Sequence, residues 1–257
     1  MVDLEANLRK VRRRIAEAAE RGGRDPSEIT LVAVTKMRPV EAIKAAYELG
    51  VRHFGENRVY EAAEKIPLIN RWLEGKPPTS RSSPLVWHMV GHLQRRKARA
   101  AIQLFDIVHS VDSVRLARKL DRLCKERGEV LPILLEVNVS GEESKYGFRL
   151  ERWPEDEEQW ELFTGVVEEI LALPNVKVQG LMTMAPIVSD PEEARPYFRR
   201  LRLLRDALAE RFPEADWHHL SMGMTDDFEV AIEEGATMVR IGRAIFGEAP
   251  PGYRKIV

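Results

Sequence analysis

Hydrophobic positions along this chain fall into two alternating rhythms. Leu4, Leu8, Val11, Ile15 and Ala18 recur at steps of three and four, which gathers them on one helical face and leaves arginines and glutamates on the other. Gly22 and Gly23 end that helix. After Pro26 comes ITLVAV at 29–34, apolar, β-branched and too short for a helix, so it predicts a strand that stops at Thr35-Lys36. The same sentence then repeats. Further strands are predicted at 51–54, 85–90, 106–111, 133–139, 176–182, 217–220 and 237–241. Between them lie helical runs such as VEAIKAAYELG, EAAEKIPLINRWLEG, a basic helix from Gln94, and SVRLARKLDRLCKERG. A helix ending at Leu173, ARPYFRRLRLLRDALAERF and DDFEVAIEEG continue the series. KPPTSRSSP at 76–84 reads as a loop, and ERWPEDEEQWE at 151–161 as a solvated acidic surface.

Strands that alternate with helices predict a parallel sheet, because each return crossover needs a helix. Eight such units close most naturally into an α/β fold, a single (β/α)8 TIM barrel with an extra N-terminal helix, and 257 residues match the usual length of about 250. An open doubly wound sheet is the alternative. It would carry a glycine-rich fingerprint in the first βα turn, and that turn, TKMRPVEA, has no glycine. Residues 1–257 are therefore expected to form one domain.

Charge changes the picture little. Forty basic side chains face 41 acidic ones, which argues against nucleic acid or an anionic membrane as the main partner. No apolar run approaches the ~20 residues that span a bilayer, and the N-terminus lacks the apolar core of a secretory signal, so a cytoplasmic location is expected. The single cysteine, Cys124, stands four residues after Leu120 and is expected to pack in the core.

In barrels of this kind the chemistry collects at the C-terminal ends of the strands. Those positions hold Lys36, then Glu56 and Asn57, Gly91 and His92, Ser140 and Lys145, Met184, Ser221 through Asp226, and Arg240 through Arg243. A lysine directly after an apolar strand is expected at the barrel mouth, partly desolvated, with Arg38 and Arg240 as cationic neighbours that favour the neutral amine an imine requires. The competing reading is a lysine that simply reaches water. SMGMTDD and RIGRAIFGE each place a glycine and backbone amides ahead of a helix, at the two strands after which barrels commonly bind phosphate. Arg240 alternates with Val239 and Ile241, so it faces either the barrel interior or a surface ion pair. His88 and His92 in HMVGH lack the glutamate of a zinc helix, and no metal site is expected. His218 and His219 read as packing residues, and QRRKARA as a solvated helix face.

The blocks VAVTKMRP, HFGENRVYEA, WHMVGHLQRRK, VNVSGEESKYGF, GLMTMAP and LSMGMTDDFEVAIEEGATMVRIGRAIFG, in that order, resemble the pyridoxal phosphate homeostasis family. The resemblance implies a fold type III barrel similar to the N-terminal domain of alanine racemase, with pyridoxal 5′-phosphate (PLP) as cofactor. It implies a Schiff base on Lys36, a pocket lined by Asn57, and a phosphate cup from Ser221, Met222 and Gly223 with Gly242 and Arg243. Arg240 would face the pyridine nitrogen. His92, Lys145 and Thr225 are secondary candidates, Thr225 standing where the family usually has serine. Arginine cannot help hold a proton on that nitrogen, so the ring would be a weaker electron sink. The second acid/base of a racemase, a tyrosine from a separate β domain, has no counterpart expected before Val257. These implications favour a carrier that buffers PLP and delivers it to apo-enzymes. A weak racemase or other enzyme acting at the α-carbon is the alternative, and a Schiff-base aldolase-type barrel on a sugar phosphate is a more distant one.

Overall fold

Asp3 starts the first helix by accepting the Ala6 amide at 2.9 Å, and Leu8, Val11, Ile15 and Ala18 form the buried face of α1 (Leu4–Arg21), as their spacing predicts. The structure, a computed structural model, describes residues 2–76 and 84–248. The loop predicted at 76–84 lies almost wholly outside the described residues.

Eight parallel strands close on themselves: β1 (Thr30–Val34), β2 (His53–Glu56), β3 (Val86–Met89), β4 (Ile107–Val111), β5 (Leu131–Asn138), β7 (Val176–Met182), β8 (His219–Ser221) and β9 (Met238–Ile241), with β9 returning to pair with β1. A two-residue strand, β6 (Phe148–Arg149), adds to the edge of β5 beyond the barrel. Each barrel strand is followed by an outer helix: α2 (Val40–Glu48), α3 (Val59–Glu74), α4 (Ala98–Ala101), α5 (Val114–Arg127), α6 (Glu157–Leu171), α7 (Arg195–Arg211), α8 (Phe228–Glu233) and α9 (Arg243–Phe246). The fold is a TIM barrel. α1 is the extra helix, packed against α8 and α9 and tied to them by Arg14–Glu229, Arg21–Glu233 and the bond from Asn7 Nδ2 to the Ile245 carbonyl.

Period-two alternation sorts each strand into two faces. Ala33, Phe54, Trp87, Val108, Leu135, Leu181, Leu220, Val239 and Ile241 join the main core beneath the helices. Val32, Val34, Val90, Ile107, Leu134, Met182 and Met238 form a second, smaller cluster inside the barrel. Arg240 has the parity of Met238, which settles its direction: it points inward and is 5% exposed.

Several local expectations are corrected. The basic helix after Gln94 is only a 3-10 turn at Arg95–Lys97 and four α-helical residues, because β4 begins soon after. The acidic stretch at 151–161 is not wholly surface: Trp153 is buried, and Asp156 caps α6 by accepting the Gln159 amide. Cys124 is buried on the inner face of α5, as its spacing implied.

Candidate functional site

The C-terminal ends of the strands surround a cleft of about 470 Å³. Its walls include Lys36 after β1, Asn57 after β2, Val90 after β3, Met184 after β7, Thr225 and Asp226 after β8, and Arg240, Gly242 and Arg243 at the end of β9. Residues more than 200 positions apart in sequence thus share one opening. A cavity of about 510 Å³ at the opposite end of the barrel, bordered by Trp87, Asp106 and Leu131, holds none of the residues that end the strands at their C-terminal side.

Lys36 stands at the mouth, but its side chain is exposed, so the protein alone does not desolvate it as expected. What is fixed is its backbone. Met37 has φ of 61°, in the left-handed region, and its amide donates to Glu61 Oε2 at 2.8 Å. On the other side, Lys65 Nζ donates to the Thr35 carbonyl at 2.8 Å. Glu56 Oε1 receives both the Thr35 hydroxyl at 2.7 Å and Lys65 at 2.9 Å. Burial raises the Glu56 carboxyl above its ordinary range, against the pull of Lys65. Arg38, the other residue of this turn, binds the carbonyls of Gly247 and Glu248 across the cleft.

Asn57 is held from behind. A Cβ on Gly91 would stand 2.4 Å from the Asn57 carbonyl oxygen, so the two turns touch backbone to backbone. Asn57 Oδ1 is buried and has no hydrogen-bond partner among the described residues. Such an orphan acceptor on a cleft wall awaits a donor.

Arg240 is clamped at its tip. Nη1 donates to Ser221 Oγ at 2.6 Å and Nη2 to the Thr183 carbonyl at 2.8 Å. Burial lowers its pKa to about 10, which leaves the guanidinium charged at neutral pH. Ser221 and Met222 are fully buried, behind the residues that line the cleft. The Ser221 hydroxyl is already committed to Arg240, and the Met222 amide donates to the Met238 carbonyl within the sheet. Gly223 also lies off the wall. Its φ is 91°, and a Cβ there would meet Ala231 Cβ at 2.6 Å, so it serves the close approach of α8. Thr225, Gly242 and Arg243 remain on the wall; Thr225 Oγ1 accepts the Ala244 amide at 3.3 Å and Arg243 pairs with Asp226.

The remaining secondary candidates sit apart. His92 lies with Nδ1 3.1 Å from Asp112 Oδ2 and stacks on Tyr146 at 3.6 Å. Lys145 pairs with Glu142 and donates to the carbonyl of Met184 at 3.1 Å, so it braces a wall residue rather than lining the cleft itself. Glu136, inside the barrel on β5, escaped sequence reasoning. Burial first, and then the Asp112 carboxylate, raise its pKa to about 7, while Arg240 opposes the shift. The signal was available: a carboxylate interrupts the apolar run ILLEV at an inward parity. His219 is half-buried with Nδ1 3.3 Å from Thr237 Oγ1, in line with a packing residue, whereas His218 is exposed. No group of residues among those described could hold a metal ion, and none of their helices is long and apolar enough to cross a membrane.

A sequence profile of the alanine racemase N-terminal domain matches residues 3–250. A pyridoxal phosphate homeostasis protein of Aquifex aeolicus is 42% identical over 241 residues, covering 94% of this chain and 96% of that one. This chain belongs to the pyridoxal phosphate homeostasis protein family. The member from Escherichia coli K12 is 39% identical over 247 residues, covering 96% and 97% of the two chains. The solved structure of PipY from Synechococcus elongatus with PLP bound is 35% identical, with a TM-score of 0.74 over 91% of this chain and all of that one. An alanine racemase of Clostridium difficile, 17% identical, shares the barrel with a TM-score of 0.66, covering 97% of this chain and 57% of that one.

Proposed function

We propose that this protein holds PLP in the cleft at the strand C-termini and acts in intracellular PLP homeostasis, with the whole chain as one binding domain. The observation that carries this reading is the single cleft that joins Lys36, Asn57, Arg240, Gly242 and Arg243. The names of the relatives and the PLP-bound PipY structure support it. So does the donor set. An exposed primary amine suits a reactive aldehyde, and the cationic Arg243 with the turn at Gly242 suits a phosphate monoester. The fixed N–H fork of Arg240 suits an unprotonated ring nitrogen, and the orphan Asn57 Oδ1 accepts a donor on the ligand.

Lys36 would hold the aldehyde carbon as a Schiff base. PLP supplies, when bound, an electron-withdrawing ring that can stabilise negative charge at an attached carbon. The protein's own residues restrain that chemistry. Arg240 can only donate, so it presents no base to retain a proton on the ring nitrogen. Its two bonds to Ser221 and Thr183 prevent it from turning away. The exposed Lys36 leaves the mouth open to water. A carrier that hands PLP to apo-enzymes of the cytoplasm fits these properties better than a racemase.

The test is chemical. Protein incubated with PLP and then reduced with borohydride is expected to carry a pyridoxyl group on Lys36, found by peptide mass spectrometry. Label confined to another lysine, or undiminished total label in Lys36→Ala, overturns the assignment.

A further inference from the structure

Three histidines run in file through the barrel interior and end on the group that holds Arg240. His53 Nδ1 lies 3.0 Å from His88 Nε2, His88 Nδ1 lies 2.8 Å from His109 Nε2, and His109 Nδ1 lies 2.9 Å from Ser221 Oγ. The same oxygen accepts Arg240 Nη1 at 2.6 Å. His88 and His109 are fully buried, and His53 reaches the floor of the barrel at the start of β2.

We propose that His53, His88, His109 and Ser221 form a one-way hydrogen-bond chain, every histidine neutral and protonated on Nε2, that positions Arg240. Arginine is only ever a donor, so Ser221 Oγ must accept from it. Its hydroxyl hydrogen is then free for one acceptor, and His109 Nδ1 is the one in reach. His109 must therefore carry its proton on Nε2, which donates to His88 Nδ1. His88 in turn donates from Nε2 to His53 Nδ1. Every link is satisfied.

The opposite direction fails at its end. His109 would donate to Ser221 Oγ alongside Arg240, and the serine hydrogen would have no acceptor among the described residues. A buried donor without a partner is disfavoured. A protonated histidine fails as well: its Nδ1–H would either face another donor or turn the links beyond it toward Ser221, again leaving the serine hydrogen without an acceptor. Burial lowers the pKa of all three rings, most strongly His88 and His109, which keeps them neutral. The four are positioning residues that act on the cleft through Arg240. Arg240's role toward a ring nitrogen rests on the function proposed above, whereas the direction of the chain does not.

Nuclear magnetic resonance of the full chain without ligand, with labelled histidine and arginine, tests both parts. At neutral pH, His53, His88 and His109 are each expected to show a protonated Nε2 and an unprotonated Nδ1. A proton on His109 Nδ1 overturns the proposal, whether or not Ser221→Ala folds. In Ser221→Ala, His109 is expected to lose its single-tautomer pattern, and the Arg240 Nη protons, resolved in the wild type, are expected to average. Ser221→Thr, which keeps the hydroxyl, is expected to restore both. Unchanged signals in a folded Ser221→Ala protein would make the serine a packing residue and sink the link to Arg240. Because no PLP enters these samples, failure of the borohydride test would leave their outcome standing.

Discussion

The Glu61 carboxylate accepts the Met37 amide at 2.8 Å, and this one bond spans from α3 to the turn that carries Lys36. Met37 adopts a left-handed backbone, which costs a non-glycine residue roughly 1–2 kcal/mol. The cost is offset because Glu61, Lys65 and Glu56 form one buried cluster around Thr35 and Met37. The residue that bears the amine is thus fixed from both neighbours while its side chain stays free. That division suits the aldehyde-binding role proposed for Lys36.

Among the described residues, Lys65 is the only cation in ion pairs with Glu56 and Glu61, and both carboxylates are buried. Lys65→Met would leave them facing each other without compensation. Removing one partner from a buried ion pair costs about 3–5 kcal/mol, and a loss of that order is expected in urea unfolding. The Lys36 turn should loosen too, seen as faster hydrogen exchange at the Met37 amide. A loss below about 1 kcal/mol would mean that the cluster behaves as a surface pair.

Gly91 and Gly165 make a matched pair of tests. Gly91→Ala drives a methyl into the Asn57 backbone at 2.4 Å, where no flexible side chain can move aside. Overpacking of this kind costs about 1–3 kcal/mol, and PLP affinity is expected to fall with it. Gly165 lies within α6, and a methyl added there would meet nothing within 4 Å. Gly165→Ala should instead stabilise by about 0.5–1 kcal/mol. Equal effects from the two substitutions, measured by thermal unfolding, would refute the close approach at Asn57.

The barrel is legible in the sequence because most strands show a short apolar run and the longer helices a wide apolar face. All eight barrel strands can be read this way, and the strand expected at 176–182 coincides with Val176–Met182 to the residue. The short strand β6 cannot, since two residues carry no period. Site geometry is less legible. Lys36, Asn57, Arg240, Gly242 and Arg243 share the cleft, while the Ser221 hydroxyl accepts a bond from Arg240, a pairing across two strands that spacing does not show. Nor could spacing reveal the histidine file, whose members come from three strands and meet only when the barrel closes.

His219 gives an acid-side prediction. Burial, and then the neighbouring His218, lower its pKa to about 4 from an ordinary 6.5. The folded state therefore favours the neutral ring. Its contribution is fully present above pH 6.5 and is lost as pH falls towards 4. With its partial exposure allowed for, the loss is about 1–2 kcal/mol. His219→Gln should flatten that part of the curve of urea midpoint against pH, and a variant with the wild-type slope would exclude His219 as its source.

Glu136 acts in the opposite sense. Its pKa is raised from 4.5 to about 7, so the folded state favours the protonated carboxyl. The associated stability is complete below pH 4.5 and disappears as pH rises through 7. Ionisation then places a second negative charge near Asp112 in the barrel interior, and Arg240 compensates only in part because burial comes first among the causes. Glu136→Gln keeps the shape and removes the charge. Relative to the wild type, the variant is expected to gain up to about 3 kcal/mol on going from pH 4.5 to pH 8.5. Urea unfolding of both proteins at the two values measures the change directly. If their difference in stability does not vary with pH, the Glu136 carboxyl binds protons alike in the folded and unfolded states, and burial does not raise its pKa.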